Sequence, residues 1–94
     1  MDDIRFEWDA DKEKANRRKH GVSFEEAKTV FVDPNAKLIN DPDHSDDEDR
    51  FILLGLGRKL RLLVVCHTYR GSEEVIRIIS ARRANKSEQS QYDG

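Results

Sequence analysis

The spacing of hydrophobic positions changes along the chain, and the change separates predicted strands from predicted helices. Residues 4–8 alternate between apolar and polar side chains, which is the period of a strand. Residues 10–20 contain good helix formers and end in cations, which stabilise a helix C-terminus. Asp9 is a suitable N-cap for this helix, and Gly21 is a suitable left-handed C-cap. The chain is therefore predicted to begin with a strand and a helix.

A second helix is predicted between Ser23 and Pro34. Ser23 and Glu26 have the spacing of a capping box, and helices usually end before a proline. The apolar stripe of this helix consists of Phe24, Ala27, Val30 and Phe31. Beyond it, the pattern predicts an edge strand, three further strands and a weak final helix, at residues 36–40, 51–57, 60–69, 75–80 and 85–92.

The order of these elements predicts the fold class. One strand, two helices and then a run of strands is the order of an α+β domain. We expect the N-terminal strand and both helices to pack on a mostly antiparallel sheet, with the short C-terminal helix after it. Ninety-four residues suffice for one modest core, so residues 1–94 are expected to form a single domain.

The strand at 60–69 decides which side chains share a face of the sheet. Its even positions are the more apolar, so we expect them to meet the helices, with His67 on the odd face. The core pattern of the last strand favours an odd number of residues in the hairpin loop before it. That loop would place His67 and Arg77 on one face, close to directly opposed. A two-residue turn at Gly71-Ser72 would place them on opposite faces.

Composition limits the class of protein. No segment approaches the ~18 apolar residues of a membrane-spanning helix, and the N-terminus is acidic, unlike a signal peptide. The single cysteine, Cys66, excludes an internal disulfide and fits a reducing compartment. Because Cys66 lies in an apolar run, we expect a buried, inert thiol. We therefore expect a cytoplasmic protein that does not enter a membrane.

The charges are divided between the two halves of the chain. Residues 1–49 hold 15 acids and 8 bases, a balance of −7, whereas residues 50–94 hold 9 bases and 4 acids, a balance of +5. This division favours a basic working face beside an acidic one, although both faces could simply solvate the domain. An isoelectric point near 5.9 counts against a general, non-specific nucleic-acid binder.

The last predicted strand carries an arginine within a β-branched run. Arg77 lies among residues that favour a buried sheet surface, where an unpaired cation is costly. Either a carboxylate pairs with Arg77 in the structure, or the sheet presents it to a phosphate, which a planar guanidinium binds well. The sequence supports these two interpretations about equally.

A histidine and several arginines on one sheet face suit phosphoryl transfer without a metal ion. Cleavage of RNA needs a base for the 2′-OH, cations for the phosphorane and an acid for the leaving oxygen. An unperturbed histidine titrates near neutrality, so His67 could transfer either proton, with Tyr69 nearby. Arg77 could hold the charge, helped by Arg61 or Arg82. The alternative is a half-buried His67 bonded to a neighbouring backbone group, with surface arginines around it.

No residue pattern indicates a metal or a cofactor. His44 lies in an acidic loop at 41–49, but this loop lacks the glycine of an EF-hand and has Pro42 at its second position. Three scattered histidines and one cysteine do not have the spacing of zinc ligands. The sequence contains neither a glycine-rich phosphate loop nor a nucleophile elbow. His20 ends the first helix, where a capping role is favoured.

Several short motifs together resemble one known family. The matching segments are Phe6-Glu7-Trp8-Asp9, Lys14-Ala15-Asn16, Lys19-His20-Gly21-Val22-Ser23-Phe24-Glu25-Glu26-Ala27, Val30-Phe31, Asp33-Pro34, His44-Ser45 with Glu48 and Arg50, Leu54-Gly55, and Arg77-Ile78-Ile79-Ser80-Ala81-Arg82-Arg83-Ala84 with Glu88 and Tyr92. In combination they resemble the BrnT toxin family over nearly the whole chain. The chain departs from the family at Gln89, where an arginine usually follows the glutamate, and this removes a cation that could meet RNA.

The resemblance implies a RelE-like ribonuclease toxin of a bacterial type II toxin–antitoxin module, and hence an endoribonuclease that acts on RNA. It also implies a BrnA-type antitoxin with a ribbon-helix-helix DNA-binding part. The complex represses its own operon in that family, so operator DNA would be bound only through the antitoxin. We expect the antitoxin to cover the sheet around Arg61, His67 and Arg77, or to reach the tail at 82–92.

Residue chemistry and the resemblance together give the expected site. The catalytic residues are expected to be His67, Arg77, Arg82 and Tyr92. The RNA-binding residues are expected to be Lys19, Arg58, Arg61 and Arg83. Supporting roles are expected for His44, Glu48, Tyr69 and Glu88. The alternative function is a non-catalytic binding module whose basic sheet face docks an acidic protein or a nucleic acid.

Overall fold

The structure, a computed structural model, describes residues 4–39, 50–71 and 74–94. Its elements in chain order are the strand β1 (Arg5–Glu7), the helices α1 (Ala10–His20) and α2 (Phe24–Lys28), a short 3-10 helix (Thr29–Val32), the strands β2 (Lys37–Ile39), β3 (Phe51–Leu56), β4 (Leu62–Arg70) and β5 (Val75–Arg83), and the helix α3 (Lys86–Asp93). The strands form one sheet in the order β1-β5-β4-β3-β2. β1 pairs with β5 in parallel, and the other pairs are antiparallel. The predicted α+β fold with a mostly antiparallel sheet is confirmed.

Local sequence signals set the boundaries of the first two helices. The Asp9 carboxylate accepts backbone hydrogen bonds at the start of α1, and Gly21 ends that helix with a φ of 70°. The Ser23 side chain caps α2 by accepting from the backbone N–H of Glu26. The predicted capping box is not closed, because the Glu26 side chain bonds to Arg61. Glu26 therefore has a different role from the one that its spacing predicts.

The sheet carries apolar residues on both faces. One face, the helix face, packs against α1, α2 and the 3-10 helix. Its core consists of Leu63, Val65, Ile78 and Ala81 from the sheet with Val22, Phe24, Ala27 and Val30 from the helical segment. The other face, the tail face, lies under α3. Its core consists of Ile52, Leu54, Val64 and Cys66, with Tyr92 of α3 packed against them.

The predicted orientation of β4 is wrong. The odd residues Leu63 and Val65 pack against the helical segment, whereas the even residues Val64 and Cys66 lie on the tail face. The physical reason is that the strand is apolar at consecutive positions from its first residue, Leu62. A continuous apolar run is buried on both faces, so alternation cannot assign one face to the helices.

The predicted register between β4 and β5 is also wrong. Arg70 pairs with Val75, which leaves residues 71–74, an even number, in the hairpin loop. His67 therefore pairs with Ile78. A β-bulge lies between Cys66 and His67, and it changes only the pairing of the residues before His67, so the predicted register of His67 is not restored. Paired residues share a face of the sheet. His67 consequently lies on the helix face, and Arg77 lies on the tail face.

Candidate functional site

Two arginines converge on one carboxylate at the end of the tail face that is formed by β1, β4 and β5. Arg77 donates from Nη1 to Oε2 of Glu7 at 2.9 Å, and Arg70 donates from Nη1 to the same oxygen at 2.8 Å. The Arg77 side chain is 33% exposed, and the Arg70 side chain is 59% exposed. We name Glu7, Arg70 and Arg77 the arginine cluster. It is open to solvent on the side away from the sheet.

The parallel pairing of β1 with β5 creates the arginine cluster. Glu7 is the register partner of Arg77, so the two side chains leave the same face of the sheet. Arg5 precedes Glu7 by two residues and therefore lies on that face as well. Glu7 and Arg70 are candidate site residues that the sequence prediction did not include. The available signal was the alternation at 4–8, which separates Glu7 from its apolar neighbours.

The arginine cluster answers the question that the sequence leaves open about Arg77. A carboxylate does pair with Arg77, and the hydrogen bond from Arg77 is the main cause that lowers the pKa of Glu7 below its usual value. Glu7 is therefore ionised at neutral pH. Two guanidinium groups against one carboxylate still leave the cluster positively charged. Arg77 is thus part of an ion pair and of an exposed site that suits an anion.

Charged and polar side chains hold both ends of α3 on the tail face. Arg82 donates two hydrogen bonds to the Glu88 carboxylate, at 2.8 and 2.7 Å. These bonds are the main cause that lowers the pKa of Glu88. At the other end of α3, the Tyr92 hydroxyl donates to Oδ2 of Asp33 at 2.7 Å, and this bond raises the pKa of Tyr92. The structure therefore pairs Arg82 with Glu88 at the start of α3, whereas Tyr92 is held at the other end of α3 by Asp33.

The predicted catalytic residues do not meet in one place. Arg77, Arg82 and Tyr92 share the tail face, but Arg77 pairs with Thr68 and Arg82 with Val64, four residues apart on β4. At about 3.3 Å per strand residue, the two arginines leave the sheet roughly 13 Å apart. The Tyr92 hydroxyl lies beyond Arg82, at the end of β3. A single phosphate cannot contact all of them in this arrangement.

His67 is fully buried on the helix face. Its ring packs edge-on against Phe31, with centroids 4.8 Å apart, and against Tyr69, with centroids 5.3 Å apart. Nδ1 lies 3.2 Å from the Val65 carbonyl oxygen, and Nε2 lies 3.4 Å from the Tyr69 hydroxyl. Burial lowers the pKa of His67. The predicted meeting of His67 with Arg77 is wrong, and its catalytic role stays a prediction that this geometry does not favour.

The burial of His67 predicts a loss of stability in mild acid. Its pKa is lowered from 6.5 in the folded state, so the unfolded chain binds the proton first as the pH falls. The free energy of unfolding should therefore be level above about pH 7 and should decrease from about pH 6.5 to about pH 5. Urea denaturation across this range measures it. In His67→Phe this decrease in the free energy of unfolding should disappear. The control variant His20→Gln, at the end of α1, should still show it. An unchanged decrease in His67→Phe would contradict the prediction.

Arg61, which was predicted to bind RNA, is engaged within the protein. Its Nε donates to Oε2 of Glu26 at 2.9 Å, and its Nη2 donates to Oε1 of Glu26 and, at 3.0 Å, to the Gly21 carbonyl oxygen. Glu26 is fully buried, and this hydrogen bonding raises the pKa of Arg61. Its role in binding RNA is not tested by these contacts, but they give it a role in holding α2 to the sheet.

The other predicted site residues are dispersed. Exposed cations lie in the last turn of α1, on the β3–β4 turn and at the end of β5, and these are Lys19, Arg58 and Arg83. Two predicted supporting residues, His44 and Glu48, lie outside the described residues. Cys66 is buried in the tail-face core, as predicted.

The described part of the chain contains neither a group of metal ligands nor a membrane-spanning helix. Within residues 4–39, 50–71 and 74–94, no three or more histidine, cysteine, aspartate or glutamate side chains are grouped so as to hold a metal ion. The helices in this part of the chain are too short and too polar to cross a membrane.

Comparison with known proteins identifies the family. The crystal structure of the ribonuclease toxin BrnT from Brucella abortus has the same fold, with a TM-score of 0.69. The two sequences are 24% identical over 89% of this chain and 100% of that chain. Comparison with curated protein sequences finds no significant match. The sequence model of the family described as "Ribonuclease toxin, BrnT, of type II toxin-antitoxin system" matches residues 8–88. Because this match spans most of the chain, the chain belongs to the BrnT family of ribonuclease toxins of type II toxin–antitoxin systems.

Proposed function

We propose that this chain is an endoribonuclease that cleaves RNA without a metal ion, by attack of the substrate's own 2′-OH. The arginine cluster is the observation that carries the proposal, since it holds two guanidinium groups beside an ionised carboxylate on an exposed sheet face. Membership of a ribonuclease toxin family supports the substrate class. The cluster supports the chemistry, because it contains positive charge for a phosphate and a group that can take a proton.

Each member of the arginine cluster has a role in this reaction. Arg77 contacts the scissile phosphate and stabilises the charge that develops on the phosphorane. Arg70, which is more exposed, contributes further positive charge near the phosphate. Glu7 is ionised at neutral pH and accepts the proton of the 2′-OH as that oxygen bonds to phosphorus. The bond from phosphorus to the 5′-oxygen then breaks, and this oxygen takes a proton from the protonated Glu7 or from water. The substrate supplies the nucleophile, and the arginines supply the positive charge. The reaction therefore needs no metal ion.

Arg82 extends the RNA site along the sheet. An RNA strand that lies along β5 meets Arg77 and then, about 13 Å further along the strand, Arg82. The fork of donors that now holds the Glu88 carboxylate suits a phosphate equally well, so an RNA phosphate replaces Glu88 on Arg82. Tyr92 lies too far from Arg77 to share its phosphate. We assign Tyr92 to holding α3 in place through Asp33.

The partner of a type II toxin is an antitoxin, and family membership implies one here. We propose that it is a BrnA-type antitoxin with a ribbon-helix-helix DNA-binding part. The complex then binds operator DNA through the antitoxin and represses the shared operon. Free toxin acts on RNA in the cytoplasm.

Cleavage of RNA should survive the removal of divalent cations. Purified protein and single-stranded RNA, incubated with excess EDTA, should give fragments that end in 2′,3′-cyclic phosphate or 3′-phosphate. This follows because the attacking 2′-OH retains the phosphate on the upstream ribose. Single-stranded DNA of the same sequence lacks that nucleophile and should remain intact. Mass spectrometry of the fragment ends measures the result.

Two results would count against this mechanism. Fragments with 3′-hydroxyl ends would indicate a different nucleophile, and activity that EDTA abolishes and Mg²⁺ restores would indicate a metal-dependent nuclease. RNA that is bound and not cleaved by the wild-type protein would favour the non-catalytic binding module.

A further inference from the structure

The turn between β3 and β4 holds a leucine in a backbone conformation that suits glycine. Leu60 has a φ of 62°. Its N–H donates to the Gly57 carbonyl oxygen at 3.0 Å, and the Gly57 N–H donates to the Arg61 carbonyl oxygen at 3.0 Å. These bonds define a hairpin in which a left-handed residue follows a tight turn, and glycine is the usual residue at that position. A bulky side chain there strains the backbone.

The strained leucine gains little packing within the protein. The Leu60 side chain is 79% exposed. It lines a groove of about 360 Å³, whose other lining residues include Leu56, Leu62, Arg83 and Tyr92. Leu56 also lines a neighbouring hollow of about 170 Å³, together with the exposed side chain of Val32. We name the four apolar residues that line these two neighbouring hollows, Val32, Leu56, Leu60 and Leu62, the turn surface.

The charged residues around the turn surface are mostly basic. Arg58 and Lys59 precede Leu60 in the turn, and both are exposed. Arg61 and Arg83 line the groove itself together with the acidic Asp93, and the acidic Asp33 lines the neighbouring hollow. An apolar centre with a charged rim is the usual form of a protein–protein interface, and a basic rim is complementary to acidic side chains. RNA is a poorer fit, because the exposed leucines and valine offer no flat ring on which a base can stack, and the ring of Tyr92 in the groove wall is packed against the tail-face core.

We propose that the turn surface binds an amphipathic segment of the antitoxin, with an apolar side chain against Leu60 and acidic side chains toward Arg58 and Arg83. The inference rests on the proposed function, since the bound segment would cover the groove that Arg83 lines, directly after Arg82, the last contact of the proposed RNA path along β5. The segment blocks that path without contacting the arginine cluster. The strain at Leu60 is retained because the leucine is an anchor for the partner.

Two substitutions at the same position separate binding from folding. Leu60→Ala shortens the side chain and keeps the strain, whereas Leu60→Gly removes both. Each should weaken binding of the purified cognate antitoxin at least tenfold, as the loss of an interface anchor does. Leu60→Gly alone should raise Tm by a few degrees. Titration calorimetry and thermal denaturation measure the two effects, and Leu38→Ala, which truncates a leucine that is 62% exposed on β2, should leave the affinity unchanged.

Cleavage assays on the same variants keep this inference distinct from the proposed function. Wild-type cleavage rates without antitoxin, together with weaker inhibition by antitoxin, support the inference. Failure of the wild-type protein to cleave RNA would refute the proposed function, and the calorimetric affinities would still decide the role of Leu60. Wild-type antitoxin affinity in both Leu60 variants would overturn the inference. If the Leu60 variants bind RNA more weakly but bind the antitoxin normally, the inference is overturned in favour of an RNA site. If they change the oligomeric state of the chain alone, it is overturned in favour of a contact between two copies of this chain.

Discussion

Arg77→Ala should reduce the rate of RNA cleavage by roughly 30- to 1,000-fold, which corresponds to about 2–4 kcal/mol of transition-state stabilisation. Arg77 lies inside β5, which has β1 and β4 on either side, whereas Arg70 and Glu7 are the last residues of their strands. The Arg77 guanidinium is therefore held by both its strand and Glu7. The fold should persist, because Arg70 still pairs with Glu7 and a partly exposed ion pair contributes little to stability. Single-turnover cleavage at saturating protein measures the effect on the chemical step.

Arg70→Ala is the matched control for this experiment. Arg70 and Arg77 donate to the same oxygen of Glu7, so each variant removes one positive charge and one partner of that carboxylate. Both variants should change Tm by similarly small amounts. The cleavage rate should fall far less for Arg70→Ala, because Arg70 is the more exposed arginine. A large loss of Tm in Arg77→Ala, with normal cleavage per folded molecule, would identify Arg77 as a structural ion-pair member.

Local chemistry was sufficient to predict the ends of α1 and α3, whereas the second predicted helix is α-helical only over Phe24–Lys28 and continues as a 3-10 helix. α1 begins after Asp9 because that carboxylate can accept from the first backbone N–H groups, and it ends at Gly21 because glycine tolerates a positive φ. α3 was predicted within one or two residues, and its N-terminus is fixed by a capping box between Asn85 and Glu88. These signals act within one helical turn, so the sequence displays them directly.

The pairing of distant strands could not be predicted from such signals. No local pattern indicates that β1 lies beside β5, although this pairing builds the arginine cluster from Glu7 and Arg77. The loop before β5 shows the difficulty, because a change of one residue in its length moves every following side chain to the other face. The predicted odd loop therefore placed His67 beside Arg77, and the observed even loop separates them.

The sequence indicated Arg77 as a candidate site residue because it is unusual in its own segment. Arg77 is a cation in a β-branched strand, which indicates either an ion pair or an anion site, and the structure shows an ion pair that is still partly exposed. Arg61 looked equally suitable for RNA, because nothing in the sequence shows that it faces Glu26 on α2. The partner of a cation decides its role, and most partners here come from distant segments of the chain.

Arg61→Ala should lower the free energy of unfolding by about 3 kcal/mol, toward the lower end of the range for breaking a buried ion pair. Glu26 is fully buried, and Arg61 supplies both of its charged hydrogen bonds, so the substitution leaves a carboxylate without a partner inside the protein. We expect a value toward the lower end of that range because the Arg61 side chain is 26% exposed, so water can reach the space that the substitution leaves beside Glu26. In a domain of this size, Tm should fall by more than about 10 °C.

The double variant Arg61→Met/Glu26→Leu tests the cause of that loss. Replacing both members of a buried pair with apolar residues removes the unpaired charge, so the double variant should be more stable than Arg61→Ala by at least about 1 kcal/mol. Arg58→Ala, which removes an exposed cation from the neighbouring turn, should leave Tm within about 2 °C of the wild type. RNA binding by Arg61→Ala is measured well below its lowered Tm, so that only folded protein is compared. An unchanged Tm together with weakened RNA binding would show that the ion pair with Glu26 is dispensable and that Arg61 contacts RNA, because a residue that holds a buried carboxylate cannot be removed without loss of stability.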